Sequence, residues 1–157
     1  MRKIIILLFL LGILFMSSGQ TYEQQSLVHT LEKWLPGKPF ESLLAKWEIP
    51  YWGIHVSIAE RGYYAFIEFL VRKSTHFFSF GLIAIAVYAV LPKFNYRIWA
   101  AAALTLLIAI SDEIHQSLTV GRTASSQDVL LDMLGAVTAL ILLYLIKRLQ
   151  MKMSAKE

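Results

Sequence analysis

No cysteine occurs among the 157 residues, which excludes a disulfide framework, an Fe–S cluster held by thiolates and a cysteine-based zinc site. Charge is scarce as well: 17% of residues are Asp, Glu, Lys or Arg, against about 25% in a soluble domain. The chain carries no HExxH helix, no phosphate-cradling P-loop and no obvious nucleophile motif. It has no internal repeat and no low-complexity stretch. What it has in excess is apolar surface: 57% of residues are hydrophobic and the mean hydropathy is +0.56, where a soluble domain runs about 45–50% apolar. One domain of this length needs somewhere to put that excess, and a bilayer is the obvious place.

The apolar residues fall into four runs. The first is Ile4–Met16, preceded by Arg2 and Lys3 and ending at Ser17-Ser18-Gly19. Its length also suits a signal-peptide core, but without an Ala-x-Ala cleavage site it reads as an uncleaved anchor. The others are Phe77–Leu91, closed by Pro92; Ile98–Ile110; and Val129–Ile146, ended by Lys147-Arg148. With the polar residues at one end included, each later run approaches the roughly 20 residues that cross about 30 Å of hydrocarbon. The expected fold is an all-α polytopic membrane protein. It is a single domain over 1–157 with four transmembrane helices at about 4–18, 72–91, 98–116 and 128–146.

Lys and Arg in short connections set orientation. With the N-terminus inside, Arg2, Lys3, Lys93, Arg97, Lys147, Arg148, Lys152 and Lys156 face the cytoplasm against one acid, Glu157. The remainder carries seven basic residues against ten acids. The sequence pI near 9.4 is thus a topology signal rather than a nucleic-acid footprint, and no nucleic-acid partner is expected. Both termini are expected in the cytoplasm.

The segment 17–71 then lies outside. Tyr22–Leu35 and Phe40–Trp47 read as short helices, separated by Pro36-Gly37 and Pro39. Pro50, Gly53 and Gly62 punctuate the stretch between Trp47 and a helix starting near Tyr63. Trp34, Trp47, Trp52, Tyr51, Tyr63 and Tyr64 suit a headgroup-level belt on interfacial helices. Met151–Glu157 reads as a short, frayed polar tail.

The scarce ionisable residues gather near the outer helix ends. Arg72, Lys73 and His76 can share a helical face. Asp112, Glu113, His115 and Gln116 close the third span, Asp128 and Asp132 open the fourth, and Arg122 sits between them. At 1.5 Å per residue, His76, Asp112 and Asp132 each stand about 21–22 Å from the cytoplasmic end of their run. A lone acid in the bilayer costs about 2.5–3.5 kcal/mol on insertion scales. The expectation is that Asp112, Glu113 and Asp132 meet Arg72, Lys73, Arg122 and His76, with Gly81, Ala109, Gly135 and Ala139 permitting close approach. Interfacial solvation, or an ion-pair network that only locks the helices, are the plainer alternatives. Ser125-Ser126-Gln127-Asp128 also resembles a helix N-terminal capping box. His29 and His55 read as surface residues, and His115 as facing Asp112 or the headgroups.

The pattern Glu113-x-x-Gln116, Gly121-Arg122, Asp128-x-x-x-Asp132-x-x-Gly135 resembles the VanZ-like family of bacterial membrane proteins. Arg72-Lys73-x-x-His76-Phe77 and Ser17-Ser18 add to the resemblance, which covers about Ile4 to Ile146. The family usually has Asn at the position of Asp132, so this chain adds an acid. The resemblance implies a helical protein of the bacterial plasma or inner membrane, in a family whose named member is linked to teicoplanin resistance.

Three functions are expected in turn. The first is an outward-facing polar pocket acting on or binding an anionic envelope component, such as a lipid-linked sugar or phosphate. Arg72, Lys73, Gln116, Arg122, Asp128 and Asp132 would line it, with Glu113, Asp112 or His76 as general acid or base. A metal variant would draw on Asp112, Glu113, His115, Asp128 and Asp132 as hard or imidazole ligands, although their spacing matches no standard site. The second is a non-enzymatic protein that alters antibiotic access to the surface or serves as a partner subunit. The third is a small transporter acting as an oligomer.

Overall fold

The computed structural model describes residues 1–51 and 53–154. Trp52 of the expected aromatic belt and Lys156 and Glu157 of the charge pattern lie outside the described residues. The elements run α1 (Arg2–Ser18), α2 (Val28–Trp34), α3 (Glu41–Leu44), β1 (Ile49–Tyr51), β2 (Ile54–Val56), α4 (Ile58–Arg61), α5 (Tyr63–Val90), α6 (Arg97–Ser117) and α7 (Ser126–Ser154). The chain is mostly helical, and α5, α6 and α7 are each long and apolar enough to cross a membrane. Helix α1 has 17 residues.

Helix α5 organises the bundle, packing along α7 and also against α6 and α1. Ile83, Ala84 and Val87 of α5, Ala101 of α6, and Ala136 and Leu140 of α7 form the buried core, and Leu7, Leu10, Leu11 and Leu14 of α1 pack on it. Small residues set the α5–α7 distance. A Cβ added at Gly135 would stand 1.9 Å from the Phe77 carbonyl oxygen, and one at Gly81 would stand 3.3 Å from Ala139 Cβ. Backbone therefore touches backbone where His76 and Asp132 leave the two helices.

The outer segment departs from expectation. The helix expected over Tyr22–Leu35 is confined to Val28–Trp34. Upstream, Thr21 and Gln24 bond each other reciprocally, Thr21 N–H to Gln24 Oε1 at 2.9 Å and Gln24 N–H to Thr21 Oγ1 at 3.2 Å, the pattern of a capping box, but the chain after it forms only a turn before α2. The helix expected over Phe40–Trp47 shrinks to Glu41–Leu44. An antiparallel hairpin pairs Ile49 with Val56, Pro50 with His55 and Tyr51 with Ile54, so the architecture is not purely helical. Val56 and Phe66 are fully buried where the hairpin meets the outer half of α5. At the other end of the chain, Met151–Ser154 continue α7 rather than forming a frayed tail.

The aromatic residues divide. Trp34 is 77% exposed and Trp47 49%, but Tyr51, Tyr63 and Tyr64 turn inward. The Tyr63 hydroxyl donates to the Pro39 carbonyl at 2.9 Å and that of Tyr64 to the Leu35 carbonyl at 3.2 Å. The Tyr63 and Tyr64 phenols tie the segment before α5 to that helix.

Candidate functional site

Three ionisable groups from three helices meet at one depth. His76 of α5, Asp112 of α6 and Asp132 of α7 each place one imidazole nitrogen or carboxylate oxygen within 4.8 Å of the others. His76 Nδ1 stands 3.2 Å from Asp132 Oδ1. Asp132 is completely buried, and among the described residues its Oδ2 has no hydrogen-bond partner.

The remaining charges are matched differently from the expected mixed cluster. The Ser18 hydroxyl, at the end of α1, donates to Asp112 Oδ1, and Gln116 Nε2 donates to Oδ2 at 2.7 Å. Glu113 Oε2 accepts the Ser125 backbone N–H at 2.6 Å; among the described residues Glu113 forms no ion pair, and its buried Oε1 has no partner. Arg72 turns to Glu68 one helical turn earlier, donating through Nε at 2.8 Å and Nη2 at 2.5 Å, and through Nη1 to Gln25 Oε1 at 2.8 Å. Glu68 is 1% exposed and also accepts from the Ser26 hydroxyl at 3.2 Å. Lys73 donates to Asp128 and, at 2.6 Å, to the Tyr51 hydroxyl, which itself donates to Asp128. Burial, reinforced by that hydrogen bond to Asp128, holds the Tyr51 hydroxyl well above its ordinary titration range, so it remains a donor.

Arg122 is the exception among the cations. Its Nη1 reaches the carbonyls of Ser18 at 3.4 Å and Gln20 at 3.5 Å, a position the carbonyl end of the α1 dipole favours. Among the described residues it makes no ion pair, and its Nε and Nη2 have no protein acceptor. Burial, followed by the like charge of Arg72, lowers its titration point, yet a guanidinium remains charged in a protein.

Arg122, Arg72, Lys73, His76, Gln116 and Asp128 share the wall of a cleft of about 370 Å³. A narrower crevice of about 120 Å³ adjoins it between α1 and α5, lined by Leu10, Ile13, Leu14, Leu82 and Ile83. Ser17, Gln25, Thr75, His76 and Arg122 line both. Polar mouth and apolar crevice are thus continuous.

A family model for VanZ/LLP1 matches residues 3–147. The chain belongs to the VanZ/LLP1 family. No curated protein and no solved structure matches it.

Within this VanZ/LLP1 chain the sequence reading needs three corrections. Arg72 and Lys73 are neutralised by Glu68 and Asp128, because those acids lie nearer on the folded chain than Asp112, Glu113 or Asp132. Among the described residues the hydrogen-bond partners of Asp112 are Ser18 and Gln116 rather than His115; His115 stacks on Phe15 at 4.3 Å between ring centroids. Of the residues weighed as metal ligands, Asp112 and Asp132 come together with His76, while Asp128 is held by Lys73 and Glu113 by the Ser125 amide. The Ser125 side chain does cap α7, accepting the Asp128 N–H at 3.1 Å. His29, 3.8 Å from Glu32, and His55 are exposed.

Ser18, Gln25, Tyr51 and Glu68 belong to the cluster but were not among the candidate site residues from sequence, Tyr51 having been read as part of the aromatic belt. Glu68 was detectable, since it precedes Arg72 by four residues, the spacing of a helical ion pair. Tyr51 had no such signal: its partner Asp128 is 77 positions away.

Proposed function

We propose that this VanZ-family membrane protein binds an anionic headgroup of a membrane-resident envelope component, a lipid-linked sugar or phosphate. The single observation that carries the reading is Arg122. It is a half-buried guanidinium with unused donors, beside a second arginine, at the mouth of a cleft that runs into an apolar crevice. Guanidinium forks suit phosphate oxygens, and the leucine-lined crevice suits the head-proximal part of a lipid chain. Among the cluster's carboxylates, both oxygens of Asp112 are already bonded. Glu113 Oε1 and Asp132 Oδ2 have no partner among the described residues, which makes these two and His76 the readier general acids or bases.

The membrane arrangement proposed with it has four crossings, both termini cytoplasmic, in a bacterial plasma or inner membrane. Helix α1 extends about 26 Å, close to the hydrocarbon thickness of about 30 Å, and its apolar residues pack on the same core as the longer helices. The cleft then opens at the outer face, under the segment 17–71. A contribution to glycopeptide resistance would follow from occupying or altering such an envelope component.

Lipid analysis tests the binding. The protein purified in mild detergent should retain a phosphate-bearing lipid by native mass spectrometry, and Arg122→Ala should weaken its retention about 10–100-fold, the loss of one charge-assisted contact. Membranes with and without the protein should also differ in lipid-linked intermediates. Full retention by Arg122→Ala in correctly inserted protein would sink the headgroup reading.

A further inference from the structure

We infer that His76, Asp112 and Asp132 form a site for one divalent cation of the Zn²⁺ or Mn²⁺ class.

Geometry is the first ground. The three ligand atoms come from three helices and lie within 4.8 Å of one another. Donors about 2.0–2.2 Å from a shared ion stand at most about 4.4 Å apart, so a small contraction suffices. The 3.2 Å between His76 Nδ1 and Asp132 Oδ1 is already the spacing of neighbouring donors on one ion. Imidazole with two carboxylates is a mixed nitrogen and oxygen set, which suits Zn²⁺ or Mn²⁺ better than Ca²⁺.

The second ground is an orphan. Asp132 is 0% exposed and its Oδ2 has no partner, and leaving a buried acceptor unmade is costly. The cluster also lacks positive charge. Arg72 and Lys73 are bound by Glu68 and Asp128, and Arg122 reaches only carbonyls. Two buried aspartates face a single imidazole, and Glu113, next to Asp112 in sequence, is buried as well. A divalent ion supplies the missing charge and gives Asp132 Oδ2 a partner.

The third ground is support around the ligands. Ser18 and Gln116 each hold one oxygen of Asp112, leaving a lone pair on each for the ion. Such outer contacts orient first-coordination groups in metal sites. Half-buried His76 lines the cleft, which provides an entry path and leaves open coordination positions on that side.

The inference goes beyond headgroup binding, and its test is independent of lipid. Full-length protein, delipidated in detergent and stripped with a chelator, is titrated with Zn²⁺ and with Mn²⁺ by calorimetry, and metal content is measured after dialysis. One ion per chain is expected. Asp132→Asn, which preserves shape, and His76→Gln should each weaken binding by more than 100-fold. Gln116→Leu should weaken it about 10–100-fold through Asp112. Glu48→Gln, at an exposed acid far along the chain, should change nothing. No ion on the unaltered protein overturns the site whatever the variants do, as does binding that survives both Asp132→Asn and His76→Gln. Ion binding without lipid retention would leave this site standing and the headgroup reading fallen; the reverse outcome would do the opposite.

Discussion

At one end of the bundle Arg97 and Lys147 flank the Tyr88 ring, 4.1 and 4.2 Å from its centroid. Arg97 donates to the Tyr88 carbonyl at 2.8 Å and Lys147 to the Tyr88 hydroxyl at 2.9 Å. Arg2, Lys3 and Lys93 border the same end. At the other end Arg72 and Lys73 are each held by a carboxylate, and three further buried acids, Asp112, Glu113 and Asp132, meet Ser18, Gln116, the Ser125 amide and His76. Among the described residues no carboxylate forms an ion pair at the basic end. Cations of one sign with long stems can reach water or carbonyls and need no acid. Short carboxylates within the bundle cannot, so each requires a specific partner. The basic end therefore tolerates substitution, and the mixed end does not.

The largest effect tests the packing that brings the mixed end together. Gly135→Ala places a methyl group against the Phe77 carbonyl oxygen, an obstacle of backbone rather than of a movable side chain. The loss should exceed the roughly 1–3 kcal/mol usual for an added methylene. Thermal unfolding in detergent should show a collapse of stability, and metal binding at His76 and Asp132 should go with it. Unchanged stability would mean that the two helices are not in contact there.

Next comes Glu68→Gln. It removes the charge facing Arg72 while keeping a similar shape, and it should cost about 1.5–3 kcal/mol, the worth of a hydrogen bond to a charged group. Freed of its acid, Arg72 should also bind the anionic headgroup more tightly. Reduced stability together with unchanged or weaker lipid retention would remove Arg72 from the binding reading. The smallest effect is expected at the basic end. Lys147→Met should cost about 0.5–1 kcal/mol, the scale of an exposed cation–π contact, and leave lipid and metal binding as they were. A loss equal to that of Glu68→Gln would erase the distinction between the two ends.

The long helices were legible because their signals are local. Gly62, Pro92 and the basic pair Lys147-Arg148 bracket apolar runs, and α5 begins at Tyr63 as the sequence implies. The hairpin was not: its strands are three residues each, Pro50 lies inside one, and Pro50, Gly53 and Gly62 read only as punctuation. At the cluster, the rise per residue was enough to bring His76, Asp112 and Asp132 to one height. It could not say which acid each cation would choose, because Glu68 and Asp112 are equally plausible partners until the helices are rotated into place.

The sequence alone thus determined the spacing of apolar runs, the sorting of basic residues toward one end and the common depth of three ionisable groups, all set by chain rise and local hydropathy. Only the tertiary structure decided that Arg72 and Lys73 are spent on Glu68 and Asp128, that Arg122 turns to the carbonyls of Ser18 and Gln20, and that Asp132 keeps an oxygen without a partner among the described residues. Those outcomes depend on how four helices rotate about their axes and where the outer segment folds back, and both are fixed by contacts between residues far apart in the chain.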